Sequence, residues 1–249
     1  MVTSTQEAPP ADKEGQIASM FDRIAFRYDF LNSLLSLRQD RLWRKTLVSW
    51  IPIKKKGKVL DVACGTGDVL LAAARKLAPY DQHFVGVDIS AAMLKLALDK
   101  LTTLLATHKE LSAERFSFSK MSAEKLGFPD SSFSVLSISF GLRNVVDKEK
   151  ALLEFARVLE PRGRLLILEF FPARKTRLNR IFQSYFAKIL PLIGGLFSDR
   201  EAYEYLPRSV GDFLSEEQLG KLLAKSGFTF QKRKSFLFGS CLLLQFERV

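Results

Sequence analysis

The sequence predicts an α/β domain with a doubly wound, mostly parallel sheet, and two observations lead to this prediction. From about residue 57, short apolar segments alternate with segments of helical periodicity, the pattern of consecutive βαβ units. The first apolar segment ends in the loop Cys64-Gly65-Thr66-Gly67, which leads into a helical segment. Glycine-containing loops of this kind hold ligands at the carboxyl ends of parallel strands. Right-handed crossovers would place helices on both faces of the sheet.

The composition is that of a folded chain with a sizeable core. Hydrophobic residues make up 47% and charged residues 26% of the 249 positions, which argues against an intrinsically disordered protein. The two cysteines, Cys64 and Cys241, provide neither a disulfide framework nor a paired metal-ligand spacing. A reducing compartment is therefore favoured, and no metal site is predicted. Since neither a signal peptide nor an apolar run of membrane-spanning length is evident, we expect a cytoplasmic protein.

The chain is strongly basic, with a formal net charge of +11 at pH 7. A basic surface suits an anionic membrane, a nucleic acid or an acidic ligand. A membrane surface and the absence of any specific partner are equally favoured. A nucleic acid is disfavoured because we find neither a basic patch with stacking aromatic residues nor an added RNA-binding module.

The residues ahead of the first strand divide into two segments. The polar residues 1–15 are predicted to be a disordered leader, and 16–56 to be an N-terminal helical lid. In the lid, apolar residues recur at helical spacing. The pattern indicates two or three helices with breaks near Tyr28-Asp29 and near Ser36.

The remaining residues, 57–249, are predicted to form the ligand-binding domain. An insertion of one or two helices is expected at about 172–213, where aromatic and aliphatic residues are frequent. The last two strands should close the sheet as an antiparallel pair. The predicted strands lie at 58–63, 83–88, 116–120, 133–139, 164–170, 228–235 and 240–248, and the predicted helices at 68–78, 91–106, 147–158 and 215–226.

The glycine loop and the carboxylate ahead of it favour a cationic nucleoside without phosphate. Gly65 and Gly67 can adopt positive φ and let the backbone approach a ligand. Leu70, however, stands where the dinucleotide fingerprint needs a small residue, and no P-loop Lys-Ser/Thr follows. Asp61, at the end of the strand, would repel a phosphate but can receive an ammonium group. The sequence therefore predicts S-adenosylmethionine as cofactor.

Two further loops complete the predicted cofactor site. Asp88 ends the second strand, where a carboxylate can accept hydrogen bonds from both ribose hydroxyls; its alternative role is a helix cap. The loop that contains Ser122 and Ala123 follows the third strand and is placed to reach an adenine. In this order the motifs resemble those of the class I methyltransferases over about residues 57–170. That resemblance implies a Rossmann-like sheet of seven strands, six parallel and one antiparallel.

Some methyl acceptors can be excluded by the motifs that they require. The Asn/Asp-Pro-Pro-Tyr/Phe stretch of methyltransferases that act on exocyclic amines and amides is absent. No Pro-Cys pair occurs, so the nucleophilic cysteine needed for methylation of cytosine C5 is also missing. We expect Cys64 and Cys241 to be structural.

More specific motifs lie at 139–145 (Ser-Phe-Gly-Leu-Arg-Asn-Val), 28–32 (Tyr-Asp-Phe-Leu-Asn) and 168–170 (Leu-Glu-Phe). With their order and spacing, the chain resembles the UbiE/MenG family of quinone-precursor C-methyltransferases over about residues 16–249. The resemblance implies methylation of a ring carbon of a polyprenyl benzoquinol or naphthoquinol, in menaquinone or ubiquinone biosynthesis. Asp40 departs from the family, which usually has His there. The cofactor-binding residues expected from the motifs and the resemblance are Asp61, Gly65, Thr66, Gly67, Asp88, Ile89, Ser122, Ala123 and Ser139.

Ring methylation beside a hydroxyl requires a phenolate, which suggests catalytic roles for three residues. Arg143 remains charged and could stabilise the phenolate electrostatically. Asn144 could orient the phenolate oxygen, and Tyr28 could hydrogen-bond it or transfer a proton. The alternatives stay open: Arg143 could pair with a neighbouring acid, and Tyr28 could pack on a lid helix. Glu169 could be catalytic or could hold the lid.

The sequence leaves several further questions open. The apolar stretch at about 178–197 could form an acceptor channel or touch lipid, or could be ordinary helix core. With the basic surface, it favours peripheral contact with an anionic inner leaflet. Another small aromatic or lipid acceptor remains an alternative, and RNA a weaker one; a non-catalytic binding protein is disfavoured. The identity of the ring, the length of the tail and the oligomeric state, a homodimer included, are not determined.

Overall fold

The computed structural model describes residues 10–36, 38–172 and 200–249. Two helices, α1 (Pro10–Leu35) and α2 (Gln39–Trp50), precede the sheet. Strands and helices then alternate, as the sequence predicted. They are β1 (Lys56–Val62), α3 (Asp68–Leu77), β2 (Asp81–Asp88), α4 (Ala91–Thr107), β3 (Phe116–Lys120), β4 (Phe133–Ser139), α5 (Lys148–Val158), β5 (Leu159–Phe170), α6 (Arg200–Gly211), α7 (Glu216–Lys225), β6 (Phe228–Phe236) and β7 (Cys241–Arg248).

All seven strands belong to one sheet with the order β3-β2-β1-β4-β5-β7-β6. The pairs from β3 to β5 are parallel, whereas β7 runs antiparallel to both β5 and β6. The predicted doubly wound sheet, with one antiparallel strand and a closing antiparallel pair, is therefore confirmed. The strand order reverses between β1 and β4. Ligands bind at such a switch point, beyond the carboxyl ends of the strands.

Two layers of helices bury the two faces of the sheet. On one face, α2, α3 and α4 pack with the sheet around the fully buried side chains of Trp43, Leu47 and Phe84. On the other face, α5 and α7 pack around Phe155 and Leu219. These two cores fix the strand ends, and so the loops that follow them, on a rigid base.

The predicted break near Tyr28-Asp29 is wrong, because α1 is continuous from Pro10 to Leu35. No proline or glycine interrupts this part of the helix, and Asp29 makes polar contacts with Thr66 and Lys100 that hold it in place. Tertiary contacts of this kind override weak local preferences. The predicted leader is also too long, since residues 10–15 are helical; residues 1–9 lie outside the described residues.

The break predicted near Ser36 is confirmed. Arg38 adopts a left-handed φ of 63° between the two helices, and its N–H donates to the carbonyl of Ser33 at 2.7 Å. Of the predicted insertion at 172–213, the described part after residue 199 includes the helix α6. The apolar stretch at about 178–197 lies outside the described residues.

The packing of α5 can be tested with two large-to-small substitutions in the same helix. Phe155 is completely buried, whereas Leu153 is 52% exposed. We expect Phe155→Ala to lower the free energy of unfolding by about 3–5 kcal/mol, because it leaves a cavity. Leu153→Ala should change it by less than about 0.5 kcal/mol. Urea denaturation of both variants measures the difference, and equal losses would contradict the assigned orientation of α5.

Candidate active site

The glycine loop leaves the sheet through a series of residues with positive φ. Ala63, directly after β1, has φ 50°, Gly65 has φ 54° and Gly67 has φ 80°. Gly65 is favoured by this positive φ and not by lack of space, since a Cβ there would meet no atom closer than 3.9 Å. Gly67 is needed for packing as well, since its Cβ would lie 3.1 Å from the Cβ of Ala97 on α4. The loop can therefore fold back tightly into α3.

Two carboxylates lie buried beside this loop, at the ends of neighbouring strands. Asp61 is 2% exposed and accepts a hydrogen bond of 2.6 Å from Ser137 Oγ. Asp88 is 7% exposed and accepts the N–H groups of Gly65 at 2.8 Å and Ser90 at 2.9 Å. Within the described residues, neither carboxylate forms an ion pair with a cation.

Burial shifts the titration of both carboxyl groups. It raises the pKa of Asp61 to about 7, against the opposing effect of the hydrogen bond from Ser137; the nearby charge of Asp88 raises it further. Burial also raises the pKa of Asp88, although the backbone hydrogen bonds from Ser90 and Gly65 oppose the shift. A positively charged ligand at this place would stabilise both carboxylates.

A two-part cleft lies over the ends of β1, β2 and β4. The larger part holds about 630 Å³ of space, some of it open to solvent, and the smaller part about 350 Å³ beside Asp61. The two parts share Tyr28, Gly65 and Ser139 in their walls. The larger part is lined by Glu14, Ile17, Phe21, Tyr28, Ala63, Gly65, Asp88, Ile89, Met93, Met121, Ala123, Ser139, Phe140, Gly141, Asn144 and Val145.

The structure brings most of the predicted cofactor-binding residues to this cleft. Asp61 and Thr66 line the smaller part, and a second group lines the larger part. Gly67 and Ser122 line neither: Gly67 packs against α4, and the Ser122 hydroxyl donates to Glu14. The residues in the larger part are Gly65, Asp88, Ile89, Ala123 and Ser139.

The lid helix α1 closes the cleft through three acidic side chains. Glu14 accepts a hydrogen bond from Ser122 Oγ at 2.5 Å, and Asp22 accepts one from Ser90 Oγ at 2.5 Å. Asp29 accepts one from Thr66 Oγ1 at 2.7 Å and lies 2.6 Å from the ammonium of Lys100. Residues seven or eight apart lie on one face of a helix.

Each of these three acids thus binds a different loop of the predicted cofactor site. Sequence reasoning missed Glu14 and Asp22. The spacing of acids along the lid was a readable pattern, although it does not identify their partners.

On the far side of the cleft, Arg143 forms a buried ion pair with Glu169. Its Nη1 lies 2.7 Å from Glu169 Oε1 and donates to the carbonyl of Phe140 at 2.6 Å. Glu169 also accepts the backbone N–H of Phe170 at 2.8 Å. Arg143 is not among the residues that line the cleft. The structure therefore shows Arg143 paired with an acid, which the sequence had left as one alternative. Glu169 holds the loop that follows β4.

Asn144 and Tyr28 do line the cleft, and a third polar side chain joins them. Tyr205 on α6 donates a hydrogen bond of 3.1 Å to Asn144 Oδ1. Burial raises the pKa of Tyr205, while the charge of Arg143 opposes this shift. Sequence reasoning missed Tyr205, because it treated its segment only as an apolar insertion.

The buried hydroxyl of Ser139 gives a further sign of an incomplete site. Its Oγ is buried and has no hydrogen-bond partner in the described structure, and Ser139 lines both parts of the cleft. Buried polar groups are nearly always hydrogen-bonded in native proteins. A polar ligand in the cleft would satisfy this hydroxyl.

Comparison with known proteins gives one consistent family. Residues 10–245 match the model of the ubiE/COQ5 methyltransferase family. The chain is 43% identical to the ubiquinone/menaquinone biosynthesis C-methyltransferase UbiE of Geobacter sulfurreducens, over 95% of this chain and 90% of that protein. It is 34% identical to the demethylmenaquinone methyltransferase of Bacteroides fragilis, over 93% and 91%. The solved structure of a SAM-dependent methyltransferase from Thermotoga maritima covers 93% of this chain and 99% of its own, with a TM-score of 0.60 and 20% identity.

The raised pKa of Asp61 leads to a prediction about the folding stability of the protein in the absence of a ligand. Its ordinary value of 3.8 rises to about 7 in the folded protein. Between pH 3.8 and about 7, Asp61 holds a proton in the folded protein that it has lost in the unfolded protein. The free energy of unfolding is therefore higher at low pH, and this advantage is lost as the pH rises through about 7. We expect Asp61→Asn to remove this loss of folding stability at higher pH. Urea denaturation from about pH 4.5 to about pH 8 should show the variant gaining stability relative to the wild type.

Asp99→Asn serves as the control, because Asp99 lies exposed on α4. Its stability over the same pH range gives the effect of removing one exposed carboxylate. Parallel curves for Asp61→Asn and the wild type would show that Asp61 titrates normally.

Proposed function

Since the chain belongs to the ubiE/COQ5 methyltransferase family, we propose that it transfers the methyl group of S-adenosylmethionine to a ring carbon of a polyprenyl quinol. The observation that supports this most directly is the pair of buried carboxylates, Asp61 and Asp88, without a cation partner in the described structure. S-adenosylmethionine carries an ammonium and a sulfonium but no phosphate, so it would supply the missing positive charge.

The residues of the cleft fit this cofactor by their chemistry. Asp61, in the smaller part, would receive the ammonium of the methionine end, and Asp88 would accept the ribose hydroxyls. Ala123 and Ile89 would line the adenine, and the unpartnered hydroxyl of Ser139 would find a polar partner. When bound, the cofactor supplies an electrophilic methyl group on a sulfonium.

The acceptor must become a phenolate, because a phenol is a poor carbon nucleophile. The ring carbon would then bond to the methyl group as the methyl–sulfur bond breaks, a neutral thioether would leave, and loss of the proton from that ring carbon would restore the aromatic ring. Tyr28 and Asn144 line the cleft and would bind the ring oxygen, while Tyr205 fixes the side chain of Asn144. Arg143 lies behind Phe140, held by Glu169. Its fixed positive charge would stabilise the negative charge that develops on the oxygen. Orientation of the ring toward the methyl group would provide much of the acceleration.

The names of the relatives point to the acceptor class. The Geobacter protein is a ubiquinone/menaquinone biosynthesis enzyme and the Bacteroides protein a demethylmenaquinone methyltransferase. A polyprenyl acceptor resides in a bilayer. None of the described helices combines the length and the apolar character needed to cross one. We infer that the protein contacts the cytoplasmic membrane surface peripherally, aided by its net charge of +11.

A methyl-transfer assay tests the proposed reaction. The protein would be given labelled S-adenosylmethionine with chemically reduced demethylmenaquinol or with the demethylated ubiquinol precursor, in separate reactions. We expect label in the ring of at least one quinol, and the product identifies which ring is used. If neither becomes labelled while the cofactor still binds, the quinol assignment is wrong, and other small aromatic or lipid acceptors become the candidates.

Conservative substitutions test the proposed handling of the phenol proton. Tyr28→Phe removes a hydroxyl from the wall of the cleft, and Tyr205→Phe removes the hydroxyl that donates to Asn144. We expect each substitution to lower kcat by at least about tenfold. The cofactor Kd, measured by calorimetry, should stay the same. Tyr80→Phe, at the start of β2 and away from the cleft, is the matched control. Wild-type kcat in both site variants would refute this role.

A further inference from the structure

The helix α2 has one buried face and one basic, exposed face. Trp43 and Leu47 are buried against the sheet. Arg38, just ahead of the helix, and Arg41 and Lys45 within it are exposed on the other side. Leu42 stands among them and is 59% exposed. At 100° per residue Arg41, Leu42 and Lys45 occupy one side of the helix, opposite the buried side.

Among the described residues, no acid pairs with the charged side chains of this exposed face. A broad basic cleft between the helices α1 to α4 contains three acids, Asp29, Asp40 and Asp68. All three are paired with Arg44 or Lys100. The cations of this cleft that have no acid partner within the described chain are Arg38, Arg41, Lys45 and Arg75.

The lid helix α1 borders the basic cleft through Asp29 and Ser33, and it carries an exposed aromatic side chain one to two turns before them on the same side. Phe26 on α1 is 92% exposed and lies beside Arg27 and one turn from Arg23 in the sequence. A single exposed apolar residue needs no explanation. Here, however, phenylalanine and leucine are surrounded by arginine and lysine. This composition is typical of helices that lie in the interface of an anionic membrane.

We propose that the docking face, formed by Phe26, Arg38, Arg41, Leu42, Lys45 and Arg75, binds the surface of an anionic lipid bilayer. The inference rests on the proposed function, which requires an acceptor with a lipid tail. The four unpaired cations complement anionic headgroups, and the two apolar side chains can enter the acyl boundary. An RNA partner would instead need several aromatic stacking platforms.

A second basic segment, on β6, is less suited to this role. Arg233 is paired with Glu216 at 2.6 Å, and Lys232 lies over the ring of Trp50 at 4.2 Å. Lys234 similarly lies over the ring of Phe236 at 5.6 Å. Since β6 is one of the two edge strands of the sheet, its charges also have a structural purpose, because they discourage pairing with another strand.

The position of the docking face connects it to the active-site cleft. The basic cleft and the smaller part of the active-site cleft share Arg44 and Asp68 in their walls. The helix α1 carries Phe26 on its exposed side and Tyr28 toward the active site. A quinol that leaves the bilayer at the docking face would therefore reach the active site over a short distance.

Vesicle sedimentation with two charge-matched variants tests the proposal. Vesicles would contain about one-third phosphatidylglycerol, with pure phosphatidylcholine for comparison. We expect the wild type to bind the anionic vesicles and to be released by high salt. Combined R38E, R41E and K45E should lower the partition coefficient at least about 100-fold, and Phe26→Ala about tenfold.

The matched control carries K109E, K120E and K125E, three exposed positions at or near the β3 edge of the sheet. This variant has the same change in net charge, and its partition coefficient should remain within about threefold of the wild-type value. Failure of the wild type to bind anionic vesicles, or equal losses in the two triple variants, would overturn the docking face. Binding of RNA but not of vesicles through these residues would do the same.

A second readout separates this proposal from the proposed function. Methylation of a short-tailed, water-soluble quinol should be unchanged in the R38E, R41E and K45E variant, because these residues lie outside the catalytic cleft. Methylation of a long-tailed quinol in anionic vesicles should fall. A wild type that binds vesicles through this face but methylates neither quinol would support the docking face and refute the quinol assignment. An equal loss with both quinols would overturn the docking face.

Discussion

Two buried carboxylates at the ends of adjacent strands are the constraint around which this site is arranged. Asp88 accepts backbone N–H groups from Gly65, in the glycine loop, and from Ser90, the N-cap of α4, so it ties two loops to the end of β2. Asp61 lies close enough to Asp88 for each charge to disfavour the other. Holding both ionised without a cation is unfavourable. A methyltransferase that binds a cationic cofactor gains affinity from this arrangement. The positive charge of the cofactor offsets the unfavourable free energy of two buried, mutually repelling carboxylates.

The lid follows from the same arrangement. The helix α1 places Glu14, Asp22 and Asp29 on one face, and each accepts a hydrogen bond from a different cofactor loop. Lys100 bridges Asp29 and Asp68 and so couples the lid to the start of α3. These contacts hold α1 over a cleft that is still partly open to solvent, so breaking them would widen its entrance. We therefore expect lid opening to accompany exchange of the cofactor, a gating step common in enzymes with closed sites.

The sequence predicted those parts of the molecule whose cause is local. The strands at 116–120 and 133–139 were predicted to the residue, because an alternating pattern in the first and a largely apolar segment in the second are each bounded by polar loops. Ser90 and Ser215 cap helices as expected, each accepting an N–H three residues on. What the sequence could not give depends on distant partners. Arg143 meets Glu169 only because β4 and β5 pair in one register, and Tyr205 reaches Asn144 from a separate helix. The continuity of α1 at Asp29 likewise depends on tertiary contacts.

The two sides of the cleft differ in electrostatic character, and this suits the proposed chemistry. Asp61 and Asp88 provide negative charge where a sulfonium cofactor would bind, whereas the other side has the Arg143–Glu169 ion pair behind the wall formed by Phe140. Transfer of a methyl group from a sulfonium to a phenolate cancels one positive and one negative charge. Water stabilises the separated charges more than the dispersed charge of the transition state, so a site that excludes water favours reaction. Such a site must still hold both charged reactants. Asp61 and Asp88 would hold the sulfonium cofactor, and the polar groups of Tyr28 and Asn144 would bind the phenolate oxygen.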